Sequence, residues 1–390
     1  MSRYLTSDTS LYVGVMSGTS LDGVDAVLAD FSPGAPRMLA NHYRPYPDDL
    51  RASLLALHTP GDNELHRAAL LANAVTREYA AAINSLLREH AGSVVGENNH
   101  ISAAAGGPPQ DTYARTIAAI GCHGQTVRHR PEHGYTIQLV NGALLAELTG
   151  LTAITDFRSR DIAAGGQGAP LVPAFHAACF RNATTSRVIV NIGGIANVTY
   201  LPLRGAISGF DTGPGNLLMD AWVSRRLGEN YDRNGAFAAA GKVNTALLQE
   251  MLADTYFHQS PPKSTGRDHF NMNWLEAFGI NDLPPPDIAA TLCELSAASI
   301  AGAIDKYCTD AGEIFLCGGG AHNAHLMARL SSHLPNRRLA TTEELRMHPD
   351  WVEALAFAWL ARCAMEKTPG NAPEVTGALG LRVLGAIHPR

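Results

Sequence analysis

The stretch Tyr12-Val-Gly-Val-Met-Ser-Gly-Thr-Ser-Leu-Asp-Gly-Val-Asp25 constrains this chain more than any other segment. An apolar, β-rich run meets a small, hydroxyl-rich turn, so a buried strand hands over to backbone that other atoms can approach closely. Gly14, Gly18 and Gly23 let amides come near an anion, and Thr19 and Ser20 add hydroxyl donors at the same place. The segment lacks both the P-loop ending in Gly-Lys-Ser/Thr and the Rossmann Gly-x-Gly-x-x-Gly, which disfavours two common nucleotide sites. The same residues also suit an ordinary hairpin, with a strand to Ser17, a turn at Gly18 and a second strand from Val24 to Phe31. Two further Gly-rich turns follow β-rich runs, Gly209-Phe-Asp-Thr-Gly-Pro-Gly-Asn216 and Ile314-Phe-Leu-Cys-Gly-Gly-Gly-Ala-His-Asn323. Such turns, far apart in the chain, point to one ligand gripped from several sides.

A chain of 390 residues, 46% hydrophobic and 17% charged, can bury a large core and has the length of two domains. A formal net charge of -6 argues against nucleic acid as a partner. The first residues carry no basic segment followed by a long apolar one, and no run reaches about eighteen apolar residues, so a cytoplasmic protein without membrane association is expected. Cys122, Cys179, Cys293, Cys308, Cys317 and Cys363 show no Cys-x-x-Cys spacing, which fits reduced core thiols. Cys122 and His123 form a thiol–imidazole pair only through an unusual turn, since neighbours on a strand point to opposite faces. His123, His129 and His133 match no standard zinc spacing.

Periodicity predicts helices over Asp48 to His58, Glu64 to His90, Gly142 to Gly150, Leu217 to Arg226, Val243 to Tyr256, Pro286 to Thr309 and Trp351 to Ala364. Strands are expected at Ile117 to His123, Tyr135 to Leu139, Thr152 to Thr155, Arg187 to Asn191, Asn197 to Leu203, Ala206 to Asp211 and Ile314 to Cys317. Ala91 to Arg115, with Gly106-Gly-Pro-Pro109, reads as a surface loop or insertion. A strand-strand-strand opening recurs, at Leu11 to Phe31 and at Arg187 to Asp211, and implies duplicated α/β halves that hold a nucleotide.

On its three turns the chain resembles the sugar kinase, heat-shock chaperone and actin superfamily, whose domains clamp ATP through two phosphate loops and an adenosine loop. It is more specifically similar to the anhydro-N-acetylmuramic acid kinases. That likeness rests on Met16-Ser-Gly-Thr-Ser-Leu-Asp-Gly23, Gly121-Cys-His-Gly-Gln-Thr126, Asp156-Phe-Arg158, Arg160 to Pro173, Asn191-Ile-Gly-Gly194, Phe210 to Asn216, Pro262-Lys-Ser-Thr-Gly266, Cys317-Gly-Gly-Gly320 and Thr376-Gly-Ala-Leu379. It implies two actin-like (ribonuclease H-like) α/β domains, mixed sheets flanked by helices with a cleft between them. The first is residues 1–154 plus 372–390 and the second residues 155–371. The superfamily's acidic residue on the first phosphate strand is replaced here by Met16 or Ser17, a role that Asp22 or Asp25 is placed to take over. The first ten residues resemble an extension without a motif.

The resemblance implies an enzyme that uses ATP and Mg²⁺ to open the 1,6-anhydro ring of a muramic sugar with water and to phosphorylate O6. It implies Asp211 as the base that takes the water's proton, although an Asp before Thr-Gly-Pro-Gly also suits a turn cap. Phosphate contacts fall on Gly18, Thr19, Ser20, Leu21, Asp22, Gly23, Val24 and Asp25, then Gly213, Gly215 and Asn216, with Gly318, Gly319 and Gly320 at the adenosine loop. Asp22 is the candidate for a metal contact through water, or a turn residue bonding its own loop. Sugar contacts fall on Ser17, His123, Arg160 and Glu353. Arg158 competes with Arg160 for the lactyl carboxylate, and Glu353 equally suits a first-turn acid on the helix dipole. Lys263 resembles a phosphate contact, or else holds its loop. Family resemblance also implies a possible homodimer. A kinase for another sugar, a nucleotide-driven switch and a metal hydrolase are the competing classes.

Overall fold

The computed structural model describes residues 10–18, 20–32, 36–97 and 116–390, with the backbone alone for 92–97. Thr19 and the extension up to residue 9 lie outside these. Residues 91–97, expected in a loop, continue the long helix Glu64–Glu97 instead, and the remainder of that expected loop to Arg115 is outside the described residues. The chain divides into two compact units, Met1–Phe175 with Glu353–Arg390, and His176–Val352. The first crossing therefore falls at Phe175/His176 rather than at 154/155, and the return at Val352/Glu353 rather than at 371/372.

The first unit is built on a six-stranded sheet. Its strands are β1 (Leu11–Met16), β2 (Gly23–Asp30), β3 (Arg37–Pro45), β4 (Ile117–Cys122), β7 (Ala153–Thr155) and β13 (Ala386–His388), in the order β13-β7-β4-β1-β2-β3. A separate hairpin pairs β5 (Gln125–Arg130) with β6 (Tyr135–Leu139). The strands β1, β2 and β3 form an antiparallel meander, and β4 and β7 continue from β1 in parallel. The second unit repeats this plan. Its strands β8 (Ser186–Ile192), β9 (Ile195–Leu201), β10 (Ser208–Pro214), β11 (Ala311–Cys317) and β12 (Arg338–Thr341) run in the order β10-β9-β8-β11-β12, with an antiparallel meander and two parallel strands beyond β8. The meander and the parallel strands beyond it therefore recur, although the third strand of the first meander, β3, lies beyond the Leu11 to Phe31 span and β13 has no counterpart in the second sheet.

Small residues decide how helices sit on the first sheet. Gly14 of β1 and Gly121 of β4 lie opposite one another in the parallel register. A Cβ added to Gly14 would stand 1.9 Å from the Ala354 carbonyl oxygen, and one on Gly121 2.0 Å from that of Phe357. The backbone of the helix Val352–Glu366 therefore rests directly on the paired glycines. In the second unit the helix Pro285–Tyr307 is long and apolar enough to cross a membrane, yet Ile288, Leu292, Leu295, Ile300 and Ile304 are buried in the unit's own core with Trp222 and Phe270. Each such side chain contributes about 1.5–3 kcal/mol by leaving water. Glu294, on the same helix, is held by Arg329 and His333, which ties Ala324–His333 to it.

Candidate active site

At the first turn, the sheet ends β1 at Met16 and resumes as β2 at Gly23. Leu21 takes a positive φ of 57° and donates its N–H to the Gly18 carbonyl. The Leu21 and Val24 side chains are buried in the core, which leaves only their backbone for a ligand. Asp22 is exposed and accepts the Ser20 hydroxyl at 2.6 Å, the contact of a turn residue bonding its own loop. Asp25 is half-buried within β2, opposite Met16.

Behind this turn lies a buried polar chain that sequence reasoning missed. Ser17 Oγ is 2.8 Å from Tyr79 Oη, Tyr46 Oη donates to Tyr79 Oη at 3.3 Å, and Gln125 Nε2 donates to the Gly18 carbonyl at 3.1 Å. Burial raises the Tyr46 and Tyr79 phenols, which stay neutral hydrogen-bonding groups. Gln125 belongs to the Gly121 to Thr126 motif, a signal that could have found it; Tyr79, within a long Ala/Leu-rich helix, carried none.

His123 follows β4 and is buried, its ring against Phe357. Arg158 reaches Nε2 from both Nε and Nη2, at 3.0 and 2.9 Å, and donates from Nη1 to the Gly168 carbonyl at 2.7 Å. Burial first, and then the Arg158 cation, hold the imidazole well below its usual pKa. The ring is therefore neutral, and because Nε2 accepts, its proton sits on Nδ1. Glu353 and Asp161 draw the Arg158 pKa upward against its burial. Ser17, His123, Arg158 and Glu353 thus form one neighbourhood of the first unit. Asp161 is fully buried and accepts from Asn371, Thr376 and the Gly168 N–H, which fixes the Arg160 to Pro173 segment. Arg160 stands exposed in the helix Ser159–Ala163, and its side chain forms no hydrogen bond or ion pair among the described residues. Arg158 is thus committed to protein partners, whereas the Arg160 guanidinium is exposed. Cys122, beside His123, is buried with its thiol pushed up to about 12, which removes it as a nucleophile.

In the second unit the Gly-rich segments converge. Gly215, Asn216 and Leu217 donate their N–H groups to the carbonyls of Gly194, Gly193 and Gly194, so Gly215 and Asn216 are bound into the fold through the amides expected to meet phosphate. Gly318, at φ 78°, would drive a Cβ to 2.4 Å from Asn191 Oδ1, and Gly320 to 2.3 Å from Ile192 Cγ2, while Gly319 lies by Asn216. Gly213 is also held at a positive φ, beside Phe257. The topological counterpart of the first turn, between the first two strands of the meander, is Gly193-Gly194 between β8 and β9. Sequence reading had named that motif but gave it no role.

Asp211 stands on β10, where the register with β9 slips between Asp211 and Gly213. Such a bulge re-aims a side chain. Its Oδ2 accepts the Thr265 N–H at 3.0 Å, and Oδ1 has no partner among the described residues. Burial raises the carboxyl to about 6, against the Thr265 N–H and the Lys263 charge, which lower it. A carboxylate with one oxygen anchored, the other open and a pKa near neutrality is built to accept a proton. Among the described residues no group of three or more His, Cys, Asp or Glu is placed to hold a metal, so neither the histidine spacing nor the carboxylates form a zinc-type site.

The family model for anhydro-N-acetylmuramic acid kinase matches residues 10–106 and 108–390. An anhydro-N-acetylmuramic acid kinase of Thiobacillus denitrificans is 53% identical over 393 residues, covering 100% of both chains, and one of Nitrosospira multiformis is 53% identical over 380 residues, covering 97% of this chain and 98% of that one. Among solved structures, component A of the (R)-2-hydroxyglutaryl-CoA dehydratase of Acidaminococcus fermentans is 12% identical at a TM-score of 0.44, covering 89% of this chain and 96% of that one.

Proposed function

The chain belongs to the anhydro-N-acetylmuramic acid kinase family, and we propose that it converts 1,6-anhydro-N-acetylmuramic acid and ATP to N-acetylmuramic acid 6-phosphate and ADP, within peptidoglycan recycling. The observation that carries this reading is Asp211, with Oδ2 anchored by Thr265 and Oδ1 open. Water attacks C1 as the C1–O6 bond breaks and its electron pair passes to O6. Asp211 takes the water's proton, and O6 takes the γ-phosphoryl group while ADP leaves. Trapping O6 as its charge develops removes the need for a separate acid.

The turns at Gly18 to Asp25, at Gly193-Gly194 and at Gly318 to Gly320 serve the nucleotide. The exposed Asp22 fits an outer contact to Mg²⁺, which, when bound, would neutralise phosphate charge while keeping most of its waters. Ser17, His123 and Glu353 serve the sugar, with His123 presented as a neutral ring by Arg158. Arg160 serves the lactyl carboxylate, the role for which its uncommitted side chain is suited. A cytoplasmic location and a homodimer belong to the same reading.

Two measurements test it. ADP release by the purified protein should require the anhydro sugar; release at an equal rate without it would overturn the kinase assignment. Arg160→Ala should raise the sugar KM about tenfold or more, the loss of one charge-assisted contact, and leave the ATP KM in place. An unchanged sugar KM would remove Arg160 from the site.

A further inference from the structure

β10 is an edge strand, and at Asp211 its free edge bonds the backbone of the 262–266 segment. Asp211 N–H donates to the Lys263 carbonyl at 3.1 Å, and the Thr265 N–H returns to Asp211 Oδ2. Tyr256, in the short helix Thr255–His258, donates its hydroxyl to the Asp211 carbonyl at 2.7 Å. Lys263 closes the ring: Nζ donates to the Tyr256 carbonyl at 3.1 Å and lies 4.4 Å from the centre of the Tyr256 ring. Backbone, carboxylate, phenol and ammonium thus lock one another around the reacting aspartate.

We propose that Lys263 is a positioning residue for Asp211, pinning its loop to Tyr256 so that Thr265 occupies Oδ2 and Oδ1 faces the water, with its ammonium as the fixed cation of that loop. This rests on the reading of Asp211 as the base. The charged and titratable groups that face Asp211 are Lys263 from the loop and Tyr256 from the short helix; Lys306 and Tyr307, at the end of Pro285–Tyr307, face Lys263 in turn. Tyr256 is held neutral by burial, and the Asp211 charge adds to that, so Lys263 is the cation acting on the carboxylate. Its own ammonium is lowered by burial, and Asp211 and Tyr307 draw it back up. The sign follows: without the cation Asp211 protonates more readily, and the acid limb of the activity moves to higher pH.

The test is the pH dependence of kcat and kcat/KM for the wild type, Lys263→Met, Lys263→Arg, Tyr256→Phe and Asp211→Asn. Lys263→Met should move the acid limb up by about one pH unit and leave the ATP KM within about twofold, and Lys263→Arg should return the limb. Tyr256→Phe, which keeps the ring under the ammonium, should lower kcat with the limb in place. A rise of about tenfold in the ATP KM with an unmoved limb would make Lys263 a phosphate contact, and an equal loss of kcat at every pH would make it merely structural; either overturns the proposal. Should Lys263→Met fail to fold, Lys263→Gln takes its place: an acid limb moved up with the ATP KM unchanged supports the proposal, and an unmoved limb refutes it. Activity retained in Asp211→Asn would instead sink the reading of Asp211 as base, while an inactive Asp211→Asn with an unmoved Lys263→Met limb would sink the Lys263 role alone.

Discussion

Asp211→Asn is expected to lower kcat by about 10²–10⁴, leaving ATP affinity unchanged by calorimetry. The substitution keeps size and keeps an oxygen for the Thr265 N–H, so the bulge on β10 and its clamp survive. What disappears is the capacity to take a proton from water. The wild type should also show the titration directly. Because burial lifts the Asp211 carboxyl to about 6, the active carboxylate is lost as pH falls through that region, and kcat/KM should fall with it. Retained activity of Asp211→Asn above about one per cent would show that another group accepts the proton.

The second large effect is on stability. Gly121→Ala should cost more than about 3 kcal/mol, because the added methyl would meet backbone, which cannot move aside as a flexible side chain does. The obstacle is the Phe357 carbonyl oxygen, 2.0 Å from the new Cβ, and Gly14→Ala meets that of Ala354 in the same way. Separating the helix Val352–Glu366 from the sheet would also disturb Glu353 and the ring of Phe357 beneath His123. Gly302→Ala is the matched control: it lies in the helix Pro285–Tyr307 with open space around its Cβ, and alanine favours a helix by up to about 1 kcal/mol. Thermal melts should show Gly121→Ala well below the wild type and Gly302→Ala at or above it; equal melts for both would refute the glycine seat.

The parts of the fold that sequence revealed are those whose signal is local. The β1 run, the β8 to β10 triplet and the Gly150 cap of Gly142–Thr149 are read from apolar runs and turn residues. The run Val243 to Tyr256, expected as one helix, is two, Thr245–Leu252 and Thr255–His258, because Asp254 caps the second while also accepting from Trp274 and His269. The strand β12 was missed because Arg338-Leu-Ala-Thr341 is short and without alternation, despite the Pro335-Asn336 turn before it, and it pairs only with β11. The same distinction governs the site. Asp211 and the glycine turns stand in short motifs, whereas the contacts of Tyr79 with Ser17 and of Tyr256 with Asp211 span sequence separations that no spacing rule reaches. That Arg158 is bonded to His123 and Gly168 while Arg160 is exposed could not be read from two arginines separated by one residue in a single turn.

The central claim is that ring opening by water and phosphoryl transfer to O6 are one reaction. Incubation of the protein with Mg-ATP, 1,6-anhydro-N-acetylmuramic acid and ¹⁸O-labelled water, followed by mass spectrometry, tests it most directly. The expected product is N-acetylmuramic acid 6-phosphate with the label at C1 and none in the phosphate. A 6-phosphate bearing label in its phosphoryl group, or ADP formed with no sugar product, would contradict it.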